Sequence, residues 1–349
     1  MMTDPTALSC PAPAAETERV LLGHGSGGRL MAELLHDVIA AELGADRVTE
    51  DAAVVDTGTA EVVTSTDSFV VTPRFFPGGD IGSLAVHGTV NDLAMRGARP
   101  VALTLAYIIE EGLPLDELRA VTASAARAAG LVGVPIVTGD TKVVPRGAAD
   151  GLYVTTAGIG VRRLGAAPSA ARGRPGDIVL LSGPIALHGT AILSARESLG
   201  FEAEIASDSR PLHALVTAML DAGGPDVHTL RDPTRGGLAS ALNELAETSS
   251  VGVDIAEDAV PVPRPAAAAC ELLGLDPLHV ANEGCLVAFV APAAADAVLR
   301  AMRARPEGTE ARAIGTLTDE HPGRVHMRTL LGGVRVVDML VGEQLPRIC

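Results

Sequence analysis

The sequence has 349 residues, enough for about two domains each with its own core, and its 27 Lys+Arg against 43 Asp+Glu leave a formal net charge of −16. So acidic a chain repels a polyanion, and with 2% aromatics and no Trp it has few platforms for stacked bases, which excludes nucleic acid as a partner. No apolar run approaches the roughly 20 residues of a membrane span, and no basic-then-apolar leader opens the sequence, so the expectation is a cytoplasmic protein without a membrane segment.

Residues 1–19, rich in Ala, Pro and Thr, read as a loose tail. The spacing of Leu30, Leu34, Leu35, Val38 and Ile39 predicts a helix over 29–43. Strands follow at 52–55 and 61–65, then a helix over 81–96 and a strand over 101–109. Pro114 opens an Ala-rich helix expected to stop at Gly130. Strands at 135–144 and 152–161 complete a first unit, 20–165. The stretch 162–177, rich in Pro, Gly and Arg, reads as the domain boundary. A second unit, 172–341, carries strands at 178–182, 251–255, 285–290 and around Ile314 and Val325. Its helices are expected near 189–198, 212–222, 238–248, 266–273 and 293–303. Residues 342–349 have no periodicity and read as a free, mobile tail carrying Cys349. The fold class is α+β: two mixed α/β domains, with no internal repeat.

Six acidic residues stand in Gly-rich or strand-end contexts: Asp51, Asp67, Asp92, Asp140, Asp232 and Glu283. Strand and helix ends converge on crevices in α/β layers, and Mg²⁺ takes oxygen ligands together with substrate phosphates. Taken singly, each acid reads first as a cap or a surface charge; taken together with the glycine loop below, they point to a site. GHGSGG, with Gly25, Gly27 and Gly28, precedes a helix and can turn backbone N–H groups onto a phosphate. The run also matches G-x-G-x-x-G with Asp46 downstream, so a dinucleotide unit and a plain flexible loop both stay open; a P-loop motif is absent. Lys142 beside Asp140 suits a cation for phosphate charge next to a metal-holding acid, or a surface pair. DPTRGG puts Asp232 at a helix entrance with Pro233 near the first helical position, and Arg235 facing a docked anion.

Of Cys10, Cys270, Cys285 and Cys349, none has zinc or disulfide spacing. Cys349 closes the tail PRIC, where Arg347 favours the thiolate and the terminal carboxylate opposes it. A reactive group on a mobile arm suggests swinging between sites. Cys285 reads as a small buried hydrophobe. Among His24, His87 and His188, only His24 is given a role in the site.

GHGSGG, the run from Thr66 to Pro100, EEGLP, GDTKVV, DPTRGGLA, NEG and PRIC together resemble the HypE family of hydrogenase maturation factors. These are carbamoyl dehydratases of the superfamily of aminoimidazole ribonucleotide synthetase and selenophosphate synthetase. The match runs from about Leu22 to Cys349. It implies an N-terminal domain forming a β-barrel across a homodimer, a C-terminal α+β domain, and ATP with Mg²⁺ between them. It also implies that the carbamoyltransferase HypF loads a carbamoyl group on Cys349. ATP then drives its dehydration to a thiocyanate, and the cyanide passes to iron on a HypC–HypD complex. By the same carry-over Asp51, Asp67, Asp92 and Asp232 hold Mg²⁺–ATP, with Asp140 also at the nucleotide. Lys142 stands near the transferred phosphate or the amide, Gly25, Gly27 and Gly28 close over the γ-phosphate, and Glu283 is the base. Two rival readings are an ATP-dependent relative acting on a free small molecule and a non-catalytic cysteine carrier. A nicotinamide oxidoreductase rests on the glycine pattern alone.

Overall fold

The computed structural model describes residues 28–33, 36, 50, 52–58, 60–165, 167–197, 205–340 and 347–349; Cys10, His24, Gly25, Gly27, Asp46 and Asp51 lie outside them. Of the helix expected over 29–43, the first part is α1 (Arg29–Glu33).

The first sheet joins β1 (Ala53–Asp56), β2 (Glu61–Phe69), β5 (Ala98–Glu110), β6 (Ile136–Val144) and β7 (Leu152–Arg162) in the order β1-β2-β7-β5-β6. A small ribbon of β3 (Phe75–Phe76) and β4 (Gly79–Asp80) precedes α2 (Ile81–Met95). Only β5 and β6 run parallel, and α3 (Leu115–Val132) makes the crossover that parallel pairing requires. The helix runs through Gly130 and stops at Gly133, whose φ of 75° allows its N–H to reach back to Ala129 O and Gly130 O. The expected stop at Gly130 is corrected: a glycine in open space on a helix does not end it unless the backbone turns left-handed.

Side chains alternate across this sheet. Leu152, Val154 and Thr156 of β7 are buried on the side covered by α2, whereas Ile159 and Val161 face outward at 48% and 36% exposure. Ile108 shares that open face through the pairing of β5 with β7. In one chain the sheet stays open, with β1 and β6 as its edges, and no closed barrel forms among the described residues. Helix α2 is buried on almost every side, because it packs against β2, β5 and β7, against α3, and against elements of the second sheet. Its start is fixed by Asp80, which accepts from the N–H groups of Gly82 and Ser83.

The second sheet has the order β14-β13-β10-β12-β8-β11-β9. Its strands are β8 (Ile178–Leu181), β9 (Val227–Arg231), β10 (Gly252–Ala256), β11 (Val287–Val290), β12 (Arg312–Thr318), β13 (Val325–Arg328) and β14 (Val334–Val337). Helices α4 (Leu187–Arg196), α5 (His213–Gly223), α6 (Gly237–Ser249), α7 (Arg264–Leu273) and α8 (Pro292–Arg303) accompany it. Strands β8 and β11 are apolar at every position because both faces are covered. Val179, Leu181, Val287 and Phe289 join the core that contains α6, while Leu180, Ala288 and Val290 join the one built by α5 and α8. Two strands of this sheet escaped the sequence reading, as did the short β3–β4 ribbon. VHTLR of β9 carries a buried His228 bonded to Asp177 at 2.7 Å, so polar residues sit in a buried strand. VRVV of β14 is an edge whose outer residues are exposed.

His87 on α2 links the two halves, with its Nδ1 3.0 Å from Ser209 Oγ. Burial pushes its pKa down to about 4, and the nearby Asp80 only partly opposes this. The folded state therefore favours neutral His87, so its contribution is complete above the ordinary value near 6.5 and is lost as pH falls towards 4. That gap corresponds to roughly 3 kcal/mol. We expect the wild type to lose more stability than His87→Gln between pH 6.5 and 4 in denaturant titrations; parallel losses would show that His87 does not act this way.

Candidate active site

The site gathers at the joint between the two sheets. Asp67 stands near the end of β2 and pairs across the ladder with Thr156, so it points to the α2 side. Asp92 comes from α2, takes a hydrogen bond from Ser65 Oγ at 2.5 Å and is hydrogen-bonded to Asp67. Burial raises the pKa of Asp67, against the pull of Arg235 and the bond to Asp92.

Asp232 follows the end of β9 and is 4% exposed. Its pKa is pushed up to about 6, first by burial and then by the charge of Asp67, with Arg231 opposing. The expectation that Asp232 and Pro233 open a helix is corrected. Helix α6 starts at Gly237 with Gly236 as its cap, because Gly236 and Gly237 both take positive φ and turn the chain first. Asp232 is thereby left in a tight loop, free of capping duty.

The NEG segment is held against this loop by its own asparagine. Asn282 Nδ2 donates to Pro233 O at 2.9 Å and to Val280 O at 3.0 Å, and its Oδ1 accepts from Ala186 N–H at 2.7 Å. The Asp208 carboxylate accepts from the N–H groups of Glu283 at 3.1 Å and Gly284 at 2.9 Å. Gly284 has no alternative at this spot, since a Cβ there would lie 1.7 Å from Asp208 O. Glu283 is itself buried, and its pKa is raised well above the ordinary carboxyl value by burial and then by Asp232, Asp208 and Asp67. Arg235 is the opposing cation, its own pKa raised by Cys349 first and then by Asp67, Glu283 and Asp92.

The last three residues lie in this cluster. Val70 N–H donates to Cys349 O at 3.2 Å and Thr72 N–H to Arg347 O at 3.1 Å, so the segment runs beside the chain that leaves β2. Arg196 donates to Arg347 O at 2.8 Å, and the Arg347 side chain pairs with Asp150. His188 Nε2 donates to Ile348 O at 2.6 Å, and its Nδ1 stands 2.7 Å from Ser207 Oγ. Burial lowers the His188 pKa, which favours the neutral ring, so Nδ1 accepts from Ser207. The reading of 342–349 as a free end is thus corrected for Arg347 to Cys349, which are docked.

In this position the Cys349 thiol is pushed up to about 12 by burial, with Glu283 and Asp67 adding to the rise and Arg235 opposing it. The sequence pointed to Arg347 as the cation that tunes this thiol. Arg347 is committed to Asp150, and Arg235 takes that place. Cys285 is fully buried with its pKa well raised, as a core hydrophobe.

Not every expected residue arrives here. Asp140 and Lys142 pair with each other at 3.2 Å on exposed β6. Asp140 aligns with Ala106, Thr155 and Ser68 across the sheet, so it lies three strand spacings, roughly 14 Å, from β2. The same register puts Asp140 and Lys142 on the open face, opposite to Asp67. Gly28 is buried against the chain at Leu340, whose O would lie 2.3 Å from a Cβ on it. Gly25, Gly27 and Asp51 lie outside the described residues. The sequence reading missed Asp208 and Asn282 and gave His188, which it had noted, no part in the site; the N in NEG was the available signal for Asn282, and nothing local marks Asp208.

Asp67, Asp92, Asp232 and Glu283 present oxygen donors alone, with Asp67 raising the pKa of Asp232 and both of them raising that of Glu283, which suits a hard cation that relieves the repulsion. Among the described residues these acids do not form a closed cage of three ligand atoms within 4.8 Å. Mg²⁺ bound partly through water and phosphate does not need one.

Residues 49–162 match the family model of the AIR synthase related protein N-terminal domain, and residues 174–328 match that of the C-terminal domain. The carbamoyl dehydratase HypE of Azotobacter vinelandii is 54% identical over 93% of this chain and 96% of its own length. The fold is similar to a crystal structure of a HypE–HypF complex, with a TM-score of 0.84 and 45% identity over 88% of this chain and 99% of that one. It is likewise similar to HypE in complex with ATP, with a TM-score of 0.80 and 47% identity over 95% of this chain and all of that one (100%). The chain therefore belongs to the HypE family of carbamoyl dehydratases, hydrogenase maturation enzymes built from the paired AIR synthase related domains.

Proposed function

We propose that this chain dehydrates an S-carbamoyl group carried on its own Cys349 to a thiocyanate, using ATP, and so supplies the cyanide ligand for the iron of [NiFe] hydrogenase. The observation that carries the reading is the position of Cys349 beside Glu283 and Arg235. A carboxamide oxygen is a very poor leaving group; ATP, held with Mg²⁺ near Asp67, Asp92 and Asp232, supplies the phosphoryl group that makes it leave as phosphate. Asp51 is assigned to the same ion on the family resemblance.

The rest of the chemistry belongs to residues of this chain. Cys349 Sγ holds the carbon throughout. Glu283, whose pKa burial and the neighbouring acids raise above the ordinary carboxyl range, is a stronger base than a free carboxylate and accepts a proton from the nitrogen. With one nitrogen proton taken by Glu283 and the other carried off with the oxygen by the departing phosphate, S–C≡N is left. Arg235 balances the acids around the thiocarbamate. Closing the cleft over the tail excludes water, which would otherwise hydrolyse the activated group.

Loading of the docked tail is disfavoured, since its half-buried Cys349 thiol is pushed up to about 12 and stays protonated there. We propose that the tail leaves His188 and Arg196, accepts the carbamoyl group from HypF, and returns; a relative crystallised with HypF supports that partner. The cyanide then passes to iron on a HypC–HypD complex in the cytoplasm. The described residues contain no helix long and apolar enough to cross a membrane. Exposed Ile108, Ile159 and Val161 support closure of the open sheet against a second copy into a barrel. Asp140 and Lys142 would face that seam, and Lys142 would reach the reacting amide only across it.

The test is the mass of the C-terminal peptide after incubation with a carbamoyl donor, Mg²⁺ and ATP. Loss of one water from the carbamoylated peptide, matched by phosphate release, is expected. A stable carbamoyl peptide with no phosphate released would indicate a carrier and overturn the proposal.

A further inference from the structure

A second constellation lies on the far part of the C-terminal sheet. Asp254 on β10 is paired in register with His326 on β13, so the two side chains project from the same face. His321 enters from the loop before β13. That loop is pinned by Gly323 N–H to Val251 O at 2.9 Å and by Val253 N–H to Arg324 O at 2.9 Å. The His321 ring occupies room that only glycine leaves, because a Cβ on Gly252 would lie 2.8 Å from its Cδ2 and 2.9 Å from its Nε2. The His321 and His326 rings stack with centroids 3.8 Å apart and planes 16° apart.

Two further observations point to a ligand. His321 Nε2 is buried and makes no hydrogen bond, although it lies 3.2 Å from Asp254 Oδ1. One nitrogen or oxygen atom from each of the three residues lies within 4.8 Å of the others. Tetrahedral coordination with metal–nitrogen and metal–oxygen bonds of about 2.0–2.1 Å puts neighbouring donors roughly 3.3 Å apart. The spacing of His321 Nε2 and Asp254 Oδ1 meets that value without hydrogen-bond geometry. A positive ion between them would account for both facts.

We propose that Asp254, His321 and His326 bind one divalent first-row transition-metal ion of borderline softness, of the Zn²⁺ and Ni²⁺ class, leaving an open coordination position. Two imidazoles and one carboxylate select such an ion over Mg²⁺. The site is separate from the Cys349 cluster: β10 stands three strand spacings, roughly 14 Å, from β11, next to the NEG segment. A bound ion would tie the 319–324 loop to β10.

The test uses the full chain stripped with a chelator, then titrated with Zn²⁺ or Ni²⁺ against a chromophoric competitor. The wild type is expected to bind one equivalent that Asp254→Asn, His321→Gln and His326→Gln each lose or weaken by at least about tenfold, the scale of even an outer-shell change. Unchanged stoichiometry and affinity in all three folded variants would overturn the proposal, as would absence of that equivalent in the wild type. X-ray absorption on wild type with one equivalent of Zn²⁺ needs no variant. Two imidazole ligands with oxygen are expected, and sulfur ligation would assign the ion to cysteine and overturn the site.

Discussion

Cys349→Ala is expected to form no thiocyanate at all, while the protein stays folded and still binds ATP. The substitution removes the atom that carries the carbon, so no slower route through the same intermediate remains. It leaves the docking contacts of the tail in place. These run through the backbone, from Val70 to Cys349 O, from Thr72 and Arg196 to Arg347 O, and from His188 to Ile348 O. The acids and Arg235 are untouched, so the nucleotide site keeps its charge. The measurements are thiocyanate by mass spectrometry, nucleotide binding by calorimetry, and melting temperature. Thiocyanate produced by Cys349→Ala would mean that the substrate is a free small molecule.

Glu283→Gln is expected to accept the carbamoyl group and then stall. Removing a general base typically slows a step by about 10²–10⁴-fold, so the carbamoyl form of the tail peptide should accumulate over a time course in which the wild type completes dehydration. Gln keeps the shape of Glu, and the backbone bonds from residues 283 and 284 to Asp208 do not depend on the side chain. Removal of one buried acid from a crowded set also relieves repulsion with Asp232, Asp208 and Asp67, so loss of fold is not expected. The pH profile separates this from a packing effect. Wild-type dehydration should rise with pH as Glu283 gives up its proton, above the ordinary carboxyl range, and that rise should be missing in the variant. Normal conversion by Glu283→Gln would move the proton acceptor to another acid of the cluster.

Much of the architecture was legible because it depends on local periodicity. The bodies of helices α2, α3, α6 and α8 lie where apolar spacing put them, and β8 and β11 announced themselves as unbroken apolar runs. The errors have local causes too. Gly130 and Gly133 are chemically identical, and only the left-handed turn at the second ends the helix. Strand β9 hides its character because His228 is satisfied by Asp177, from a distant part of the chain.

The residue types of the site were also visible: Asp67, Asp92, Asp232, Glu283 and Cys349 stand in segments whose glycines and polar neighbours set them apart. Sequence alone determined which reactive groups the chain carries, its acids and its thiol, and which elements hold them, because both follow from composition and short-range spacing. Tertiary structure alone decided which of these groups meet. It set Asp140 and Lys142 on the opposite sheet face from Asp67, made Arg235 and not Arg347 the neighbour of the Cys349 thiol, and brought in Asp208 and His188. The physical reason is that burial and charge act through space. A thiol or carboxyl takes its acidity from whatever the fold packs against it, however distant along the chain.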